Sequence, residues 1–227
     1  MALLSYKFFR NFLAVVAFYL SYILLRPFFK IIFSVKVTFP ENFREKIQFP
    51  VIFVTNHKTH FDPWIFAAMM PFVYLRGIVP IRYMATTRFK HFFMKFLYRI
   101  GVIKTIYFIY NVLTITDKET IEEKLTPYIK ALQSNQTVML FPEGGLFRHD
   151  AVGEFKRGAV YLHAMSGMPI LPASIRFSGN GLRKKCHVHF GNPLMIPINL
   201  KSGGDAVQAD ALKHLREIIV GLYEYAE

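Results

Sequence analysis

Two histidines and an aspartate stand close together in Thr55-Asn56-His57-Lys58-Thr59-His60-Phe61-Asp62-Pro63. An imidazole is the side chain best matched to accepting a proton near neutral pH. A carboxylate on its second ring nitrogen fixes the tautomer and steadies the imidazolium that forms. His57 and Asp62 are five residues apart. On a regular helix that spacing separates them by about 140°, at 100° per residue, so a contact requires an irregular turn. Asp62 also stands where it would cap a helix beginning at Pro63, and the two roles are compatible because each can use a different oxygen. His60 is a second candidate base. His57, His60 and Asp62 together also offer three ligands to a metal, although a third histidine or a cysteine cluster is missing nearby.

The elements that must position these residues are legible on both sides. Val51-Ile52-Phe53-Val54 is a short apolar run that reads as a buried strand, and Trp64 to Met70 reads as a helix with Pro63 in its first turn. Strand, polar loop and helix is the arrangement by which α/β proteins carry reactive groups at the carboxyl end of a sheet. The pattern recurs at Thr137-Val138-Met139-Leu140-Phe141, a second buried strand followed at once by Pro142-Glu143-Gly144-Gly145. The proline and two glycines suit close backbone approach around Glu143.

Taken together, Asn56-His57-x4-Asp62 and Phe141-Pro142-Glu143-Gly144 resemble the signature of the glycerolipid acyltransferases typified by 1-acylglycerol-3-phosphate acyltransferases. The resemblance covers roughly residues 36–198. It implies that His57 is the base and Asp62 its orienter, that Glu143 contacts the acceptor, and that backbone N–H groups around Gly144 and Gly145 help hold it. Phe155-Lys156-Arg157-Gly158 also resembles a family feature. Lys156 and Arg157 fall at a predicted helix start, where charge and free N–H groups both favour a phosphate. The chain departs from the family in two places. Gly145-Leu146-Phe147 replaces the usual Thr-Arg-Ser, with Arg148 arriving two residues late. The nearest counterpart of a Gly-led strand ending in arginine, Gly101 to Tyr107, ends in tyrosine.

The implied reaction moves a fatty acyl group from a thioester, acyl-CoA or acyl carrier protein, to the hydroxyl of a lysophospholipid, with 1-acylglycerol-3-phosphate the first expectation. No other cofactor and no metal is implied. Another lysolipid head group, a hydrolase using the same base on water, and a non-catalytic lipid- or anion-binding protein stay open.

Charge distribution points to a membrane. The net charge is +13, and residues 1–40 and 63–116, which contain no Asp or Glu, contribute +12 of it. Basic residues interleaved with Phe and Leu suit an anionic membrane surface rather than nucleic acid. From Phe12 to Leu25 the chain carries no charge, yet this run is short of the ~20 residues of a spanning helix. Pro27 is expected to break or kink it. Residues 1–35 are therefore expected to form one or two helices lying in one leaflet or, as the alternative, a single short span, on the cytoplasmic face. Residues 36–227 are expected to form one acyltransferase domain. The lone Cys186 allows no internal disulfide and suits a reducing compartment; it reads as a small buried hydrophobe.

Further strands are expected at Ser34–Phe39, Val79–Ala85, Pro169–Ile175 and Cys186–Phe190. Arg88 to Ile100 is expected to form an amphipathic helix with Phe89, Phe92, Phe93, Phe96, Leu97 and Ile100 on one face. Thr116-x-x-Glu119 has the form of a capping box opening the next helix, and helices are expected from Glu154 and from Gly204-Asp205. The fold class is α/β: a mixed, mostly parallel sheet flanked by helices, plus an N-terminal membrane-binding helical element.

Overall fold

The computed structural model describes residues 2–87, 89, 91–115, 120–179, 183–197 and 205–225. Helix α1 (Ala2–Ile32) runs directly into strand β1 (Phe33–Thr38). Then follow α2 (Phe43–Lys46), β2 (Ile52–Thr55), α3 (Asp62–Met69), α4 (Phe72–Ile78), β3 (Ile81–Thr86), α5 (Phe92–Arg99), α6 (Val102–Ile109), β4 (Leu113–Ile115), α7 (Ile121–Gln133), β5 (Thr137–Leu140), α8 (Gly158–Ser166), β6 (Ile170–Ser178), β7 (Lys184–Phe190) and α9 (Asp205–Glu224).

The strands form one seven-stranded sheet in the order β1-β7-β6-β2-β5-β3-β4. Of the strand pairs among the described residues only β6–β7 is antiparallel, so β1 and β7 run against the other five. β2 and β5 are buried along their whole length because helices cover both faces, which is why they read as continuous apolar runs. On one face Phe53, Met139, Leu171 and Ile175 pack with Phe18 of α1, Ile65 and Phe66 of α3, and Leu75 of α4. On the other, Ile52, Val54, Val138 and Leu140 pack with Leu125 and Leu132 of α7, Val160 of α8, and Leu215 and Ile219 of α9.

β2 and β5 are parallel neighbours, with Val54 opposite Leu140. The chain leaving β2 turns into α3 on the first face, while the chain leaving β5 reaches α8 on the second. Two adjacent parallel strands whose connections diverge to opposite faces open a crevice at their carboxyl ends. Both motif loops lie there.

Several boundaries differ from expectation. α1 is one helix that continues through Pro27 to Ile32, because packing holds it on both sides of the proline. Arg26 donates to the carbonyls of Ala68 and Met70 at 2.9 and 3.1 Å, and Phe29 is buried. Gly101 to Tyr107 is not a strand. Gly101 sits at φ 92° between α5 and α6, and the following residues are helical. The strand in this part of the chain is β4, and the next basic residue, Lys118, lies outside the described residues. The capping box that forms is Thr120–Glu123: Glu123 N donates to Thr120 Oγ1 at 3.2 Å and Thr120 N to Glu123 Oε2 at 2.8 Å. Thr116 to Glu119 lie outside the described residues, as do Arg88, Lys90 and Gly204. α5 is described from Phe92, and α8 begins only at Gly158, with 154–157 in the preceding loop.

α1 lies along the domain. Arg10 donates to Phe108 O at 3.3 Å, and Asn11 Oδ1 accepts from the buried Arg82 at 2.5 Å and from Asn111 at 3.1 Å. Further along, the Ser21 and Tyr110 hydroxyls are hydrogen bonded, and Ala14 and Phe18 are fully buried. The opposite side of the helix exposes Phe8, Phe12, Ile23, Leu24 and Ile31.

Candidate active site

The loop after β2 is held from its first residue. Asn56 is fully buried and its carboxamide makes both backbone bonds of Ile175, donating to the carbonyl at 2.9 Å and accepting from the N–H at 2.8 Å. One side chain thus extends the β2–β6 ladder a step beyond the strand and aims the next residue, His57, away from the sheet.

Asp62 is the first residue of α3 and is fully buried. Its carboxylate does not cap that helix. It turns back over the loop, where Oδ2 accepts from Lys58 N at 2.6 Å, Thr59 N at 2.9 Å and His57 Nδ1 at 2.9 Å, and Oδ1 accepts from Thr59 Oγ1 at 2.6 Å. Four donors compensate a carboxylate that has left water entirely. The contact with His57 exists because the six-residue segment His57–Asp62 closes as a ring around the carboxylate. His57 therefore carries its proton on Nδ1 and presents Nε2 as the basic nitrogen. The imidazole is stacked on Phe141, with centroids 3.9 Å apart and planes 18° apart, and its side chain is 15% exposed. It is confined in rotation but reachable from outside.

Glu143 lies on the neighbouring loop and is turned inward. Oε2 accepts from His57 N at 2.8 Å and Oε1 from Gly153 N at 2.8 Å. Burial lifts its pKa; the two N–H groups, Lys58 and His57 pull it back. Both oxygens are thus bonded to this chain's own backbone, where the family resemblance assigns a contact with acceptor. Phe147 N completes the bridge by donating to His57 O at 2.8 Å.

Of the two glycines, Gly144 is the constrained one. It sits at φ 71°, and a Cβ there would stand 2.5 Å from Lys156 Nζ, so the Lys156 side chain lies across it. The Gly144 N–H is engaged by Phe141 O at 3.0 Å. Gly145 is exposed with open space around it. Lys156 N donates to Pro142 O at 2.7 Å, which returns the chain from 142 to the loop before α8, and Arg157 is the residue preceding α8. Arg148 is exposed and near His60, whose pKa is lowered by burial first and then by His57, Arg148 and His91. A cationic rim therefore stands beside the His57 loop. Tyr107 is remote from it in role: its hydroxyl donates to Thr86 O at 3.1 Å, and burial pushes its pKa up to about 12.

Several contributors had no motif to announce them. Lys58, whose pKa burial lowers, donates to His149 O at 2.6 Å and to Ala151 O, with its ammonium 4.8 Å from the Tyr223 ring centroid. Arg216 of α9 donates to Gly153 O at 2.9 Å and Val152 O at 3.0 Å. Tyr223 donates to Asp150 at 2.7 Å, and Asp150 pairs with Arg176 at 3.2 Å. A basic residue beside the candidate histidine was the only signal for any of these. Cys186 is buried, and burial raises its pKa to about 12, so it is an inert thiol. No group of three or more His, Cys, Asp or Glu is placed to hold a metal among the described residues.

In its geometry the site is a base with an oriented tautomer in a crevice rimmed by cations. No curated protein sequence matches the chain. The fold is similar to the crystal structure of the 1-acyl-sn-glycerophosphate (LPA) acyltransferase PlsC from Thermotoga maritima, with a TM-score of 0.59, 16% sequence identity, and coverage of 96% of this chain and 87% of that one. The sequence model of the family described as Acyltransferase matches residues 34–176, which span both motif loops and most of the sheet, and the chain belongs to that family.

Proposed function

We propose that this acyltransferase moves a fatty acyl group from a soluble thioester, acyl-CoA or acyl carrier protein, to the hydroxyl of a lysophospholipid, with 1-acylglycerol-3-phosphate as first acceptor. The observation that carries the reading is the 2.9 Å contact between His57 Nδ1 and Asp62. His57 Nε2 takes the proton of the acceptor hydroxyl as its oxygen attacks the thioester carbonyl. The tetrahedral intermediate then expels the thiolate, which receives that proton from the imidazolium, so ester and free thiol leave the site and His57 is restored. Asp62 steadies the imidazolium between the two steps. Arg148, Lys156 and Arg157 supply positive charge for an acceptor phosphate; Gly144 lets the Lys156 ammonium approach the Glu143 turn, and Gly145 leaves room beside it.

Membrane association is part of the proposal, with residues 1–35 as the principal segment. Phe8 to Ile32 is long and apolar enough to cross a bilayer. Its hydrogen bonds at Arg10, Asn11, Ser21 and Arg26 tie it to the domain along most of its length. A helix so bound cannot cross without carrying charged domain surface into hydrocarbon, which favours a helix lying in one leaflet. α5 adds a second apolar face: Phe92 is 84% and Phe93 64% exposed, and none of its residues is buried.

The test is product analysis of purified protein given acyl thioester and mixed lysolipids. Acylated acceptor supports transfer; free fatty acid alone, in place of it, overturns transfer in favour of hydrolysis. Absence of both products overturns catalysis.

A further inference from the structure

The β1 edge of the sheet carries a basic row on the side that also bears α9. Residues paired across a ladder share a face. The register sets Lys36 beside His187 and His187 beside Arg176, with Lys185 one rung earlier on the same face, beside Ser34 and Ser178. Lys36 and Lys185 are exposed. His187 between them is only 8% exposed, and its Nδ1 is buried without a hydrogen-bond partner. One rung further, beside His189, the buried Ser174 hydroxyl also lacks one. Buried polar groups are nearly always bonded, and two unpartnered ones on a basic strip mark a place that an acceptor would complete.

The charges say what kind of acceptor. Burial, then Lys36, His189, Lys185 and Arg176, lower the His187 pKa, so the ring sits in positive potential. Arg176 is already paired with Asp150 at 3.2 Å, which leaves the two lysines and the imidazole to meet a ligand. An anion satisfies all three together. Alternate residues of β7 point the other way: Cys186, Val188 and Phe190 join the core that α1, α3 and α4 cover. The basic row is thus on the opposite side of the sheet from α1 and its exposed apolar face, and its ligand comes from water rather than from lipid.

We infer that Lys36, Lys185 and His187 form a phosphate site for the nucleotide end of a water-soluble thioester donor of the coenzyme A class. The inference rests on the acyl-transfer reading. Two ammonium groups around one imidazole match a single phosphate group and not the broad acidic surface of a carrier protein. The site also connects to the His57 loop: Arg176 pairs with Asp150, and Lys58 donates to the carbonyls of the residues on either side of Asp150.

The experiment is calorimetric titration of free coenzyme A into the full chain in uncharged detergent, for wild type and for Lys36→Ala/Lys185→Ala. Both lysines are exposed, so the variant should keep its Tm. The expected result is a Kd raised about tenfold or more. Inorganic phosphate should compete with coenzyme A on wild type, and the KM for acyl-CoA should rise in parallel with kcat and the acceptor KM unchanged. Absence of coenzyme A binding, or equal binding by both proteins, overturns the site. So does a variant whose defect is confined to phosphatidylglycerol vesicles or to an acyl carrier protein donor. Failure of the acyl-transfer reading is seen separately, as a wild type that binds coenzyme A yet forms no acylated acceptor.

Discussion

Glu143 and His57 are joined through the backbone: the carboxylate of the one accepts the N–H of the other at 2.8 Å, while its second oxygen holds Gly153. Glu143 is thereby the clasp between the two motif loops. Glu143→Gln retains an acceptor for one N–H and sets an amide against the other. Leaving a buried donor unsatisfied costs about 1–3 kcal/mol. Turnover is expected to fall roughly tenfold or more, with a lower Tm. An unchanged Tm would show that the clasp contributes nothing.

His57 and Asp62 are expected to separate by stability. His57→Ala removes a partly exposed ring and should lower kcat by ~10²–10⁴ with little change in Tm. Asp62→Asn turns an amide toward donors that Asp62 now satisfies, so it should lose activity and Tm together. Equal melting temperatures for the two variants contradict the ring of bonds around Asp62.

Arg216 acts at a distance. It holds Gly153 and Val152 by their carbonyls, and Gly153 holds Glu143. Arg216→Ala is expected to cut kcat by about tenfold while both KM values stay near wild type. Arg216→Lys should recover part of the loss. A pure KM effect would place Arg216 in substrate binding instead.

The pH dependence has a definite sign. The folded pKa of His60 lies below its ordinary value of 6.5. Its contribution to stability is present above 6.5 and is lost as pH falls through the folded value, because the unfolded chain takes up the proton first. His60→Gln should therefore flatten the fall of Tm between about pH 7 and 5. A slope identical to wild type excludes His60 as a contributor.

Deleting residues 1–35 would remove Phe18 and Phe29 from the core and leave the buried Arg82 without Asn11, so truncation is expected to abolish folding. Polar substitutions at Phe8, Phe12, Ile23, Leu24 and Ile31, on the outer side, should instead release the folded protein from anionic vesicles at unchanged Tm. Full retention on vesicles would point to α5 as the anchor.

How much was legible depended on distance along the chain. β2 and β5 were readable because strands covered on both faces are nearly all apolar, and β6 because it opens on the apolar Ile170–Leu171 after Pro169. The His57–Asp62 pair was readable because the four donors to the Asp62 carboxylate lie within five residues of it, whereas the loop's ties to Glu143 and Ile175 were not. α6 was hidden, since Val102, Ile103, Thr105 and Ile106 have strand propensity and only packing overrules it. Ile103 is buried, and Tyr110 meets Phe18 and Trp64 edge to face. The capping box was ambiguous because Thr116-x-x-Glu119 and Thr120-x-x-Glu123 both fit the pattern. Arg216 and Tyr223 reach the site from 63 and 73 residues beyond their partners, and no local spacing encodes that.

The position of β1 sets an order of events during synthesis. Among the described residues its only ladder partner is β7, with Phe33 opposite Lys184. At ordinary elongation rates β7 follows β1 off the ribosome by roughly 10–30 s. For that interval β1 has emerged, while the sheet edge it must join does not exist. α1 can dock on α3, β3 and α6 once residues up to about 110 are out, so its contacts with the domain precede the pairing of the strand that follows it. Ribosome-bound chains that stop short of residue 184 are expected to keep residues 33–38 open to protease while α1 is already protected by its packing on α3 and α6.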